Sequence, residues 1–243
     1  MLGAFGWGAL AASSLVVGAV VALRVQISLR TIGWVMGFGV GVLLSAVSFD
    51  LVEKAIETSS GHGATLAGLL AGCLTFFGGD LVIERIGGGQ RKRATGANAE
   101  GDPLGIVLGT VLDGIPESLV IGLTFHEGGA VGAAYLVAVF VSNVPEAISS
   151  TAGLTARGWR QARILLMWTG IAAVSGVASA VGYGLFARSS NEVVAFVLAF
   201  AGGAVLTMLA ETMMPEAYLH GGKVVGVLTT LGFTLAFALE QLD

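Results

Sequence analysis

Two short stretches of the chain set carboxylates beside proline in otherwise apolar surroundings: Asp113-Gly114-Ile115-Pro116-Glu117-Ser118 and Ser142-Asn143-Val144-Pro145-Glu146-Ala147. Asp113 and Glu117 stand four residues apart, so on a helix both project from one face. Pro116 removes a backbone hydrogen bond and frees the carbonyl of Leu112, four residues earlier. Pro145 frees the carbonyl of Val141 in the same way. Each stretch thus offers carboxylate, polar side-chain and loose carbonyl oxygens together, which is the chemistry of hard-cation coordination. A third stretch, Glu211-Thr212-Met213-Met214-Pro215-Glu216-Ala217, adds Glu211 as a further candidate ligand.

The elements that hold these residues follow from composition. The chain has 243 residues, 55% hydrophobic and 12% charged, with a mean hydropathy of +0.86. A soluble domain carries about 25% charged residues, so this chain belongs in a bilayer. It contains 38 glycines, an excess that suits transmembrane helices with closely approaching backbones. A hydrocarbon core of about 30 Å needs roughly 20 apolar residues per helix. Stretches of that kind fall near 2–23, 31–53, 63–84, 104–125, 129–154, 162–186, 192–217 and 223–241. The charge-free run from Ile164 to Ala187 does not alternate as a barrel strand must. The expected fold is an all-α integral membrane protein of eight transmembrane helices in a single membrane domain, residues 1–243. The first span lacks a basic leader and reads as retained.

Basic residues orient the spans. Arg24, Arg30, Arg85, Arg91, Lys92, Arg93, Arg157, Arg160, Arg163 and Lys223 follow the odd-numbered spans, against Lys54 and Arg188 on the other side. Ten of the twelve basic residues therefore mark the cytoplasmic face and place both termini outside. Residues 86–102 form a basic, Gly-rich cytoplasmic loop whose composition suits a solvated linker.

A carboxylate at mid-membrane costs about 2.5–3.5 kcal/mol on insertion scales, so it faces a cavity or a partner. Counting about 1.5 Å per residue from the cytoplasmic end, Glu211 lies near 10 Å, Glu146 near 12 Å, Asp113 near 14 Å, Asn143 near 17 Å and Glu117 near 20 Å. These five could converge in one layer. Asp50 and Glu53 fall towards the outer end of the second span, and Glu216 and His220 at the inner mouth. Glu53, Glu57, Glu216, Glu240 and Asp243 are expected at interfaces rather than as ligands, and Asp80 and Glu84 beside Arg85.

The second span, from Gly39 (GVGVLLSAVSFDLVEKA), runs parallel in pattern to the seventh, from Ala201 (AGGAVLTMLAETMMPEA), and the fourth shares its Pro-Glu with the fifth. The members of each pair cross in opposite directions, as inverted repeats require. Other classes are disfavoured. A net charge of −4 leaves no basic face for nucleic acid. The one cysteine, Cys73, excludes a disulfide framework. Neither an H-E-x-x-H nor a G-x-x-x-x-G-K-[ST] pattern occurs, so neither an enzyme nor a bound cofactor is expected.

Taken together, these residues resemble the ZIP (Zrt/Irt-like) family of divalent metal transporters over essentially the whole chain. The family has eight membrane helices with both termini outside, and its HNxPEG and HxxPEG-like motifs on helices four and five form the metal site. They are matched here by Asp113 to Ser118 and Ser142 to Ala147; the helix-seven ending is matched by Glu211 to Ala217, and the helix-two pattern by Gly39 to Glu53. The chain departs at Asp113 and Ser142, where relatives carry histidine, and at Gly114, where they carry asparagine. It also has no acid on helix six, where Ser175 or Ser179 is the nearest substitute. The resemblance implies a permease for a divalent metal such as Zn, Mn, Fe or Mg, multi-pass in the cell (plasma or inner) membrane, with Asp113, Glu117, Asn143, Glu146 and Glu211 as metal ligands. Oxygen-only ligation suits Mg²⁺ or Mn²⁺ better than zinc. A homodimer is compatible with the sequence, and the alternative function is a non-transporting sensor or scaffold.

Overall fold

The computed structural model describes residues 1–85, 103–126, 133–186 and 189–241, and every element among them is helical. The helices are α1 (Leu2–Arg24), α2 (Leu29–Ala46), α3 (Lys54–Thr58), α4 (His62–Ile83), α5 (Pro103–His126), α6 (Ala133–Ala156), α7 (Gln161–Phe186), α8 (Asn191–Met208), α9 (Met214–Gly221) and α10 (Val224–Glu240). A π-helical segment, Val47–Glu53, joins α2 to α3, and another, Leu209–Met213, joins α8 to α9. Among the described residues six stretches are long and apolar enough to cross a membrane: Leu2–Arg24, Leu29–Thr58, His62–Ile83, Val107–Phe125, Gln161–Phe186 and Asn191–Gly221. Beyond these, α10 is an apolar helix of 17 residues, and the continuous helix α6 carries Ser142, Asn143, Glu146, Ser149, Ser150 and Thr151 within its length. The basic stretch 86–102 lies outside the described residues.

Local chemistry sets the helix ends. The Ser28 hydroxyl caps α2 by accepting from the Thr31 amide at 3.1 Å, meeting one of the free N–H groups of the first turn. Gly222, at φ 66°, closes α9 in a left-handed conformation that a β-carbon disfavours.

In lipid the hydrophobic effect does not draw helices together, so association relies on close packing of small residues. A β-carbon on Gly41 would fall on the Thr229 carbonyl oxygen of α10, and one on Gly203 on the Leu69 carbonyl oxygen of α4. The reverse surfaces match. A β-carbon on Gly72 of α4 would meet the Phe200 carbonyl, and one on Gly232 of α10 the Phe38 carbonyl. Gly203 follows Gly41 by 162 positions, Phe200 follows Phe38 by the same interval, and so does Leu209, where the second π segment starts, after Val47, where the first starts. The two sequence stretches that run parallel from Gly39 and Ala201 thus also share a backbone irregularity and a packing contact. Outward faces are apolar: Leu66, Leu70 and Leu74 form an exposed stripe on α4, as Val227, Leu231 and Leu235 do on α10. Such stripes suit lipid contact.

Candidate functional site

Among the described residues five carboxylates are buried in this apolar bundle: Asp50, Asp113, Glu117, Glu146 and Glu216, none more than 9% exposed. Each residue's helix fixes which neighbours it can reach. On α5, Thr110, Asp113 and Glu117 follow one another at spacings of three and four and share a face over about 10 Å of helix. All three are buried. Pro116 sits inside the same helix, and the Ser118 hydroxyl donates to the Gly114 carbonyl at 2.6 Å, one turn back.

Opposite lies α6. Glu146 Oε1 accepts from the Thr110 hydroxyl at 3.1 Å, so this glutamate faces the polar stripe of α5 at the end nearest Pro103. Pro145 lies inside α6, and the carbonyl it frees belongs to Val141. Gly39 of α2 crosses there: a β-carbon on it would stand 3.6 Å from the Val141 oxygen and 3.3 Å from Ser142 Cα. A glycine at that crossing leaves the loosened carbonyl uncovered. One turn further along α6, the Ser149 hydroxyl donates to Glu216 Oε1 at 3.2 Å. A small cleft is lined by Met36, Glu146, Ser149, Ser150, Met213 and Glu216, so the two glutamates border one space.

At the other end of the stripe, the π segment turns Asp50 inward, where it is 2% exposed and accepts from Lys54 Nζ at 3.0 Å. Lys54 runs its stem past the buried acid and keeps its side chain 39% exposed, so the charge of Asp50 is compensated while the ammonium stays near solvent. The charges of Asp50 and Glu117 both act on the buried phenol of Tyr135, which places the π segment, α5 and the start of α6 in one neighbourhood. No hydrogen-bond partner is seen for the Tyr135 hydroxyl among the described residues. A buried hydroxyl in that state costs about 1–3 kcal/mol unless something transient satisfies it.

Not every expected ligand joins this line. Glu146 of α6 meets Thr110 of α5, Asp113 and Glu117 are buried on the Thr110 face of α5, Asn143 is half-buried, and Glu211 of the second π segment is exposed. Among the described residues no three histidine, cysteine, aspartate or glutamate side chains are grouped closely enough to hold one ion. The acids are strung out in sequence rather than pooled. On α7, Ser179 is engaged by the Ala4 carbonyl at 2.7 Å, whereas the Ser175 hydroxyl lies 3.6 Å from where a Gly114 β-carbon would stand, facing the site helix. Sequence reasoning passed over Thr110, Ser149 and Tyr135. The first two carry a legible signal, a hydroxyl three residues from a membrane-embedded acid on the same helical face; Tyr135 carries none.

Comparison with known proteins adds one relation. The chain is 29% identical over 203 residues, 83% of its length, to a protein of Arabidopsis thaliana named "Putative zinc transporter". The alignment spans 32% of that protein, so the chain corresponds to about a third of its relative. No family model matches the chain.

Proposed function

We propose that this protein is a permease for divalent metal cations, with Zn²⁺ the first ion to be tested. The observation that carries the reading is the series of buried carboxylates, Asp50, Glu117, Asp113, Glu146 and Glu216, which are the buried charged residues among those described. Buried acids in a membrane bundle are costly, and a cation is a partner that offsets several of them in turn. The name of the plant relative and the resemblance to the ZIP motifs point to the same cargo.

In this reading an ion enters past Asp50 and Tyr135, trades waters for the oxygens of Glu117 and Asp113, passes to Glu146 and Thr110, and leaves past Ser149 and Glu216. At each station it meets one or two carboxylates, hydroxyls or a proline-freed carbonyl, and keeps part of its hydration shell. Sites that bind without a closed cage release their ion readily, which throughput requires. Eight spans with both termini outside, as the ten-to-two distribution of basic residues indicates, would orient the path from outside to cytoplasm. The paired glycine contacts and π segments support two inverted halves whose relative movement exposes the line to either side in turn. The membrane potential contributes about 2.3 kcal/mol per charge per 100 mV.

The test is uptake by the purified full chain in liposomes, each divalent ion tried separately with an ion-sensitive dye trapped inside. Saturable uptake that exceeds the rate of empty liposomes and grows with an inside-negative potential supports the proposal. No uptake of any ion by correctly inserted protein refutes it.

A further inference from the structure

Away from the acidic line, α5 and α7 leave between them an apolar groove of about 450 Å³, open to the side. Its walls include Val107 and Val111 of α5 and Leu166, Gly170 and Val174 of α7. Leu166 is 74% exposed, so the groove faces the hydrocarbon and not the interior. At one end of the groove stands Arg163. The Arg163 guanidinium lies over the Trp159 ring at 3.8 Å from its centroid, and both residues line the groove. Stacking on an aromatic face fixes the plane of a guanidinium while leaving its N–H edge available to an acceptor. No carboxylate pairs with Arg163 among the described residues. Arg157 and Arg160 precede it, and the Arg160 carbonyl accepts from the Arg163 amide at 2.9 Å, so the positive end of the α7 dipole lies at this same point.

We propose that this groove is a binding site for one anionic phospholipid, its acyl chain lying along Val111, Leu166, Gly170 and Val174 and its phosphate held by Arg163. The dimensions agree: Arg163 and Val174 are eleven residues apart, about 16 Å of helix, which is the depth of one leaflet of a 30 Å core. The chemistry agrees as well. An apolar trough capped by a stacked arginine and an indole at the interface recognises a chain joined to a negative headgroup, and basic pockets between membrane helices serve anionic lipids. A free phosphate would leave the trough unused, and a zwitterionic lipid would bring its own cation towards Arg163. The site is separate from the acidic line and does not depend on the transport proposal.

Native mass spectrometry of the detergent-purified full chain, titrated with phosphatidylglycerol or with phosphatidylcholine of the same acyl composition, tests this. The expected result is one phosphatidylglycerol retained in preference to phosphatidylcholine. Arg163→Gln should lower that preference about fivefold, the weight of one interfacial arginine. Gly170→Leu should lower retention of both lipids, because nothing lies within 4 Å of a β-carbon at Gly170 and the new side chain would extend into the groove without disturbing the helix packing. Equal retention of the two lipids by the parent overturns the proposal, and so does an unchanged preference in Arg163→Gln. Release of phosphatidylglycerol by inorganic phosphate would show a small-anion site in place of a lipid site. Protein dimers that form only when the lipid is stripped would show that a second copy fills the groove, and also overturn the proposal.

Discussion

Replacing Glu146 by glutamine separates what the buried acid does to the fold from what it does for an ion. The side chain is 9% exposed and accepts from the Thr110 hydroxyl at 3.1 Å. An acid at the centre of a membrane helix costs about 2.5–3.5 kcal/mol on insertion scales, and a hydrogen bond to a charged group returns about 1.5–3 kcal/mol. Weighed against the Thr110 bond alone, the ion-free carboxylate costs about 1 kcal/mol more than that bond returns. Glutamine keeps the volume and still offers an oxygen to Thr110. Glu146→Gln should thus raise the melting temperature of the ion-free protein by about 2–4 °C, the conversion for a chain of this length. The parent should gain a further 2.7 kcal/mol or so when the ion is present at about 100 times its Kd, and the variant should lose most of that gain. Thermal unfolding of both proteins in detergent, with chelator and then with Zn²⁺ or Mn²⁺, measures the two shifts. The reasoning is refuted if the variant melts below the parent in chelator and retains the full metal-induced shift. Glu240→Gln serves as the control and should change neither quantity.

Other consequences follow from the packing and the sequence. Gly41→Ala and Gly203→Ala each force a methyl group onto a carbonyl oxygen of the facing helix and should destabilise by about 1–3 kcal/mol, whereas Gly226→Ala, with open space around it, should stabilise by up to about 1 kcal/mol in the same unfolding assay. In a chain whose Cys73 has been replaced by serine, a cysteine at Ala97 should react with a membrane-impermeant reagent only from the cytoplasmic side and one at Asn191 only from outside, as the distribution of basic residues requires. Asp113→His exchanges a hard oxygen ligand for an imidazole and should shift preference towards Zn²⁺ over Mn²⁺ in competition uptake; an unchanged ranking in an active variant removes Asp113 from the ion's path.

Much of the frame was legible because twenty consecutive apolar residues leave little choice of structure. The stretches expected at 2–23, 63–84 and 162–186 match Leu2–Arg24, His62–Ile83 and Gln161–Phe186 to within a residue. The parallel patterns from Gly39 and Ala201 have a structural counterpart in the matched contacts of Gly41 and Gly203. Facing was harder to read. A rise of 1.5 Å per residue and a period of 3.6 assume an unbroken α-helix, and both second-span and seventh-span acids lie in or just past a π segment, where hydrogen bonds run to the fifth residue and the phase of all later side chains shifts. Asp50 is buried, Glu216 is buried against Ser149 and Glu211 is exposed, so acids in and just past the π segments differ in facing. Tyr135 was illegible for another reason: its association with Asp50 and Glu117 joins residues 85 and 18 positions apart, which no local pattern encodes.

Whether the buried acids form the ion's path is decided by locating a bound ion. Crystals of the full chain soaked in Mn²⁺ or Zn²⁺ and measured at the absorption edge of that metal give an anomalous peak wherever the ion rests. The account predicts a peak among Asp113, Glu117 and Glu146, about 2.0–2.2 Å from at least one of their oxygens, that disappears in Glu117→Gln or Glu146→Gln. Peaks confined to exposed groups such as His62 or Glu211, with none along the α5/α6 stripe, would contradict it.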